Sequence, residues 1–235
     1  MNTSATVSCT PAPTSTPVGA KLLNLFVCPS VVFDEVSGGP GHPANWLVPS
    51  ALVCLSGLLV LEATTNAERT AATLGQLVSA GKITQELAST LTAHWQLISG
   101  AATFLGSFVG TFWSAFVLWF IGRVFLKSRF PFTKALEVAA LSGTILVLGT
   151  VVTALLALAL GNASARPALS LLVLNLDPSN RVRALGELIN CFYLWTTVVL
   201  AIGLSRLSRV TFKESAFWVF GYWLFVRLSL ILLAA

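Results

Sequence analysis

From Trp95 to Gly122 the chain runs for twenty-eight residues without one charged side chain. As a helix at 1.5 Å per residue that stretch is about 42 Å long, against a bilayer hydrocarbon core of roughly 30 Å. A backbone in lipid must satisfy its own hydrogen bonds, so the segment is a helix crossing a membrane. It is longer than the crossing requires and must tilt or protrude.

Four further apolar stretches repeat the argument at lesser length, giving expected spans at about 46–62, 96–122, 135–160, 188–204 and 215–235. Only 10% of the chain is charged and 55% is hydrophobic, whereas a soluble domain carries about a quarter charged residues. The expected fold is therefore all-α, a polytopic transmembrane bundle of five spans with short interfacial helices. The last two spans are joined by the basic stretch Ser205–Glu214, so they lie side by side and antiparallel.

The net charge of +5 is grouped between the apolar stretches, which marks topology and headgroup contacts and excludes a nucleic-acid footprint. With five spans, Lys21, the cluster Arg123, Lys127, Arg129 and Lys134, and the turn Arg206, Arg209 and Lys213 share one side. The other side holds Arg69, Lys82, Arg166, Arg181 and Arg183, diluted over longer loops. The positive-inside rule then places the N-terminus in the cytoplasm and the C-terminus outside. A bacterial cytoplasmic membrane is the expected location.

Residues 1–20 are rich in Ser, Thr, Pro and Ala and carry no charge, which reads as a disordered tail. The body is residues 21–235. Lys21–Val36 is apolar at roughly helical spacing but broken by Pro29, so it reads as an amphipathic segment with its apolar face in the headgroup boundary. Thr64–Ala93 reads as two short amphipathic helices separated at Gly81. Glu137 follows Lys134 by three residues and is expected to form a local pair with it.

Three sets of residues stand out. Ala102, Gly106, Gly110 and Ser114 recur every fourth residue of the long span, a small-residue face for close helix packing. Packing within the chain is the first expectation and a homo-oligomer the second. Arg227 lies inside the last span, where a charge costs on the order of 3 kcal/mol near the centre. It is expected to snorkel to lipid headgroups or to pair with Glu187 or Glu62, both placed near the same face. Spans 3 and 4 offer only Thr150, Thr153, Asn190, Thr196 and Thr197 as polar groups of note, too few to line a transport path.

Catalytic chemistry has no foothold in the sequence. His42 and His94 are the only histidines, and no HExxH, GxSxG or P-loop pattern occurs. The cysteines Cys9, Cys28, Cys54 and Cys191 have no metal-ligand spacing and read as packing residues. No catalytic residue, cofactor or metal is expected.

The segment NLFVCPSVVFDEV, a turn and then WLVPSALV resembles the entry to bacterial members of the Yip family, the Ypt/Rab-interacting membrane proteins, with Pro29 and Phe33 at its Pro-x-x-x-Phe positions. The stretch LINCFYLWTTVVLAIGLSRLSRVTFKESAFWV resembles the family's last hairpin, with Trp195, Gly203, Ser205 and Lys213 at matching positions. The resemblance covers about residues 22–235. It implies five membrane helices, a cytoplasmic N-terminus and a non-enzymatic role. Eukaryotic relatives bind Rab-type GTPases and take part in vesicle trafficking and membrane shaping. The resulting expectation is a scaffold or adaptor whose partners are membrane lipids, other membrane proteins or a second copy, and not nucleic acid. The alternative is a small transporter or lipid-handling protein.

Overall fold

The protein was described as a computed structural model, which covers residues 16–64, 67–161, 165–173, 186 and 189–233. Among the described residues nine α-helices follow one another: α1 (Val18–Val27), α2 (Pro29–Gly38), α3 (Ala44–Thr64), α4 (Ala67–Ser79), α5 (Gln85–Ala93), α6 (Trp95–Val124), α7 (Phe132–Leu160), α8 (Cys191–Ser208) and α9 (Phe212–Leu233). A 3-10 turn occupies Leu169–Val173, and no strand occurs among the described residues beyond a single antiparallel bridge, Ala168 to Asn190.

Local chemistry sets the helix ends. Pro131, extended at φ −71° and ψ 150°, precedes the first turn of α7 as its N-cap and has no N–H to leave unpaired, and Gly161 closes the helix in the left-handed region at φ +60°. Thr211 and Glu214 cap α9 reciprocally: the Thr211 N–H donates to Glu214 Oε2 at 3.1 Å and the Glu214 N–H to Thr211 Oγ1 at 3.4 Å. Asn190 caps α8, its Oδ1 accepting from the N–H groups of Phe192 and Tyr193 at 3.0 and 3.3 Å.

Among the described residues four helical stretches are long and apolar enough to cross a membrane: Ala44–Glu62, Trp95–Val124, Phe132–Leu160 and Cys191–Ser208. The closing helix α9, which carries Lys213, Glu214 and Arg227, is not among them. The chain is an all-helical integral membrane protein. Its last hairpin is tighter than the sequence implies, since α8 runs on to Ser208 and α9 starts at Phe212, leaving only Arg209–Thr211 as the turn. Arg209 takes the left-handed conformation at φ +55° to make it.

α7 is the hub, packing on α3, α6 and α8, while α9 packs chiefly on α8. Contacts between distant residues fix which ends lie together: the start of α3 meets the start of α7, and Ser128, before α7, meets Ser208, at the end of α8, at 3.0 Å. The N-terminal segment, the α6–α7 link and the α8–α9 turn thus share one end of the bundle. The expected grouping of the linkers has this geometry.

Two expectations about the amino-terminal segment change. Helix α1 begins at Val18, inside the stretch expected to be a tail, while residues 1–15 lie outside the described residues. Pro29 does not merely interrupt the segment; it starts a second helix, α2, and lets the chain fold back on itself. The apolar face of this pair is pressed into protein rather than into headgroups. Leu25, Val32, Phe33 and Val36 are buried against the ends of the spans, and only Leu23 and Val27 remain strongly exposed. Helices α4 and α5, separated by Gly81 at φ +67°, match the two amphipathic helices read from the sequence.

Candidate functional site

The amino-terminal helix pair is held to the bundle by a buried polar cluster. Glu137, on the second turn of α7 and 1% exposed, lies at its centre. Asn45, at the start of α3, donates from Nδ2 to Glu137 Oε2 at 2.8 Å, and the His42 N–H donates to Oε1 at 3.2 Å. Lys134 Nζ sits 3.5 Å from Oε1 and donates to the Val36 carbonyl, in α2, at 2.7 Å. On the far side of Asn45, Lys21 Nζ donates to Asn45 Oδ1 at 3.5 Å and pairs with Glu35 Oε1 at 3.2 Å.

The cluster joins α1, α2, α3 and α7 and contains two cations and two anions, so it is neutral as a whole. Neutrality is what makes its burial tolerable: an unpaired charge in the same place costs several kcal/mol. Burial raises the pKa of Glu35, but hydrogen bonds from Thr16, a hydrogen bond from Lys21 and the Lys21 charge more than reverse it, leaving the carboxyl below its ordinary value of 4.5. The Lys134–Glu137 pair expected from spacing exists, yet it is not a local surface pair. It is the anchor between a span and the amino-terminal helices.

The residues singled out by resemblance meet beside this cluster. Phe33 is fully buried, and a side chain added at Gly203 would overlap Val138 Cγ1 and come within 3.3 Å of Phe33 Cε2. Gly203 therefore allows α8, α7 and the Phe33 ring to touch at one point. Trp195 stands edge-on to Phe26, in α1, with ring centroids 5.5 Å apart. Pro29 opens the helix that delivers Phe33.

The other predicted residues are placed differently. Ala102, Gly106 and Gly110 are exposed, and a side chain added at Gly106 or Gly110 would meet nothing within 4 Å. At Gly106 and Gly110 the small-residue face thus meets no neighbour among the described residues. Its neighbouring face does: Gly57 of α3 comes so close to α6 that an added Cβ would lie 3.0 Å from Thr103 Cγ2. Ser114 is half-buried at the edge of that packed face. Sequence spacing marks a stripe but not the direction in which the neighbouring helix lies.

Arg227 makes no ion pair with Glu62, one of its two expected partners. Its guanidinium carbon lies 4.5 Å from the centroid of the Tyr193 ring, so the charge is met by an aromatic face. Glu62 is exposed and makes no ion pair among the described residues, and Glu187 lies outside them. Asn45 and Lys21 were missed by sequence reading. The available signal was that each lies just before an apolar stretch, with acids at matching positions in Glu35 and Glu137.

No curated protein and no solved structure matches this sequence. The Yip1 domain family matches residues 23–235, from within α1 to the last residue of the sequence. The chain belongs to the Yip1 domain family of membrane proteins.

Proposed function

We propose that the protein is a non-enzymatic scaffold or adaptor in membrane organisation or trafficking, crossing the membrane five times with its N-terminus in the cytoplasm and its C-terminus outside. The fifth crossing would be α9, whose 22 residues span about 33 Å and whose single internal charge is covered by Tyr193. A bacterial cytoplasmic membrane fits the charge balance of the loops.

The observation that supports this reading is the locked amino-terminal pair. Helices α1 and α2 are fixed to the spans by the neutral cluster, which makes them a rigid ledge rather than a tether. Their outer rim carries Asp34, paired loosely with Arg206 at 3.6 Å, and the turn residue Arg209 beside it. A rigid, charged rim at the membrane surface is suited to presenting contacts to a partner protein.

Purification in mild detergent after crosslinking from a cysteine introduced at Ser37, which lies on the exposed rim, tests the role. A defined membrane-protein or cytosolic partner, lost in Arg206→Glu, is expected. Bound lipid with no protein partner would overturn the scaffold reading. Labelling of cysteines introduced at Lys127 and Lys82 from opposite sides of the membrane tests the topology.

A further inference from the structure

A second polar feature lies at the opposite end of the bundle from the cluster. A cavity of about 250 Å³ opens between α3, α6, α7 and α8, with Arg166 and Asn190 among its lining residues. Below them it is walled by Thr150 and Thr153 of α7 and by Tyr193 of α8. Both threonine hydroxyls donate to their own helix, to the carbonyls of Leu146 and Gly149, at 2.7 and 2.8 Å. Toward the middle of the spans the lining turns apolar at Val53 and Leu146.

Two donors face this cavity without a partner among the described residues. Asn190 is only 7% exposed, and its Oδ1 is committed to capping α8. Its Nδ2 makes no hydrogen bond among the described residues, which leaves an amide donor open to the cavity. Arg166 has no carboxylate within ion-pair range among the described residues. The Ala168–Asn190 bridge ties the segment carrying Arg166 to the start of α8, so the two donors are held together. No acid among the described residues lines the cavity, and a further cation, Arg227, lies against the Tyr193 ring.

We propose that this cavity is a binding site for a phosphate group, carried by a membrane phospholipid or free in solution. A guanidinium offers paired donors that match two oxygens of a phosphate, and an amide adds a third. The site lies at the ends of the spans, at headgroup level, and its apolar depth would accept part of an acyl chain. This inference is independent of the scaffold reading, because it concerns the other end of the molecule.

The test uses the full chain in neutral detergent and follows its thermal unfolding midpoint with phosphatidylglycerol, phosphatidylcholine and inorganic phosphate as separate probes. Ligand bound only by the folded state raises the midpoint. Asn190→Asp keeps an oxygen to cap α8 but replaces the donor by a carboxylate, and Arg166→Gln removes a charge that has no ion-pair partner among the described residues. Each should weaken binding on the order of tenfold to a hundredfold, while Lys82→Gln, another exposed cation, leaves it unchanged.

A shift with phosphatidylglycerol that exceeds that with phosphatidylcholine and is absent with phosphate assigns a lipid. A shift with phosphate alone that cancels the lipid difference assigns the free anion. Either result upholds the site if Asn190→Asp and Arg166→Gln lose it. The proposal is overturned if no probe shifts the wild-type chain, or if Arg166→Gln retains the full shift. Should Asn190→Asp fail to fold, Arg166→Gln decides alone.

Discussion

Gly203→Ala should destabilise the protein even though it puts the best helix former in place of a poor one. In an exposed helix the exchange gains about 1 kcal/mol of propensity. Here the new methyl would overlap Val138 Cγ1 and lie 3.3 Å from Phe33 Cε2. Both neighbours are fully buried, so neither wall can retreat without moving a helix. Overpacking of this kind costs about 1–3 kcal/mol, so after the propensity gain the net loss is up to about 2 kcal/mol. Val138→Ala removes the methyl that clashes, at a cost of about 1–2 kcal/mol on its own. The double variant should be less destabilised than the sum, with a coupling of at least about 1 kcal/mol. Thermal unfolding in detergent, with limited proteolysis of α1–α2 as a local readout, measures all four corners of the cycle. Additivity to within about 0.5 kcal/mol, or a Gly203→Ala chain more stable than wild type, would refute the three-way contact.

The polar cluster gives two further expectations. Glu137→Leu strands Lys134 and should cost about 3–5 kcal/mol, whereas Glu137→Leu with Lys134→Met removes the charge pair together and should recover most of that loss; folded yield in detergent distinguishes them. Because Glu35 titrates below its ordinary 4.5 in the folded chain, its contribution is fully present above that pH and disappears as the pH falls through the lower folded value. Protease access to α1–α2 should therefore rise in acid, and Glu35→Gln should remove the pH dependence. At the other end of the molecule, Arg227→Gln should lower stability by about 0.5–2 kcal/mol through the lost ring contact, and Tyr193→Leu should cost no more when made in the Arg227→Gln background. On α6, Gly106→Leu should leave the folded chain's thermal midpoint unchanged, since open space surrounds that position; a large drop at constant oligomeric state would show that the helix is packed there.

Length and hydropathy made most of the helices legible. The lipid requirement for self-satisfied backbone turns each apolar run into a helix, so the boundaries of α6 and α7 differ from expectation by three residues or fewer. The end of α8 was not legible, because Ser205, Arg206 and Ser208 look like a polar turn. They remain helical as Ser205 turns its hydroxyl back to the Ile202 carbonyl at 2.7 Å and Arg206 reaches Asp34. The direction of the α6 stripe was equally hidden. Small residues permit close approach on any side, and only the position of α3 decides that Thr103, not Gly106, faces a neighbour.

The cluster shows why charges near span ends resist reading in isolation. Lys21, Glu35, Lys134 and Glu137 each have an ordinary surface explanation, and spacing along the chain links only the last two. What joins them is Asn45, a neutral side chain that donates to one carboxylate and accepts from one ammonium. Removing α1 and α2 would take away Lys21, Glu35 and the Val36 carbonyl, leaving Lys134 and Glu137 facing water or lipid with Phe33 gone from beside Gly203. The amino-terminal pair is therefore part of the membrane domain's core and not an appendage to it. A chain truncated before Asn45 should expose the apolar ends of α7 and α8 and aggregate. A soluble and stable product from that deletion would contradict the assignment.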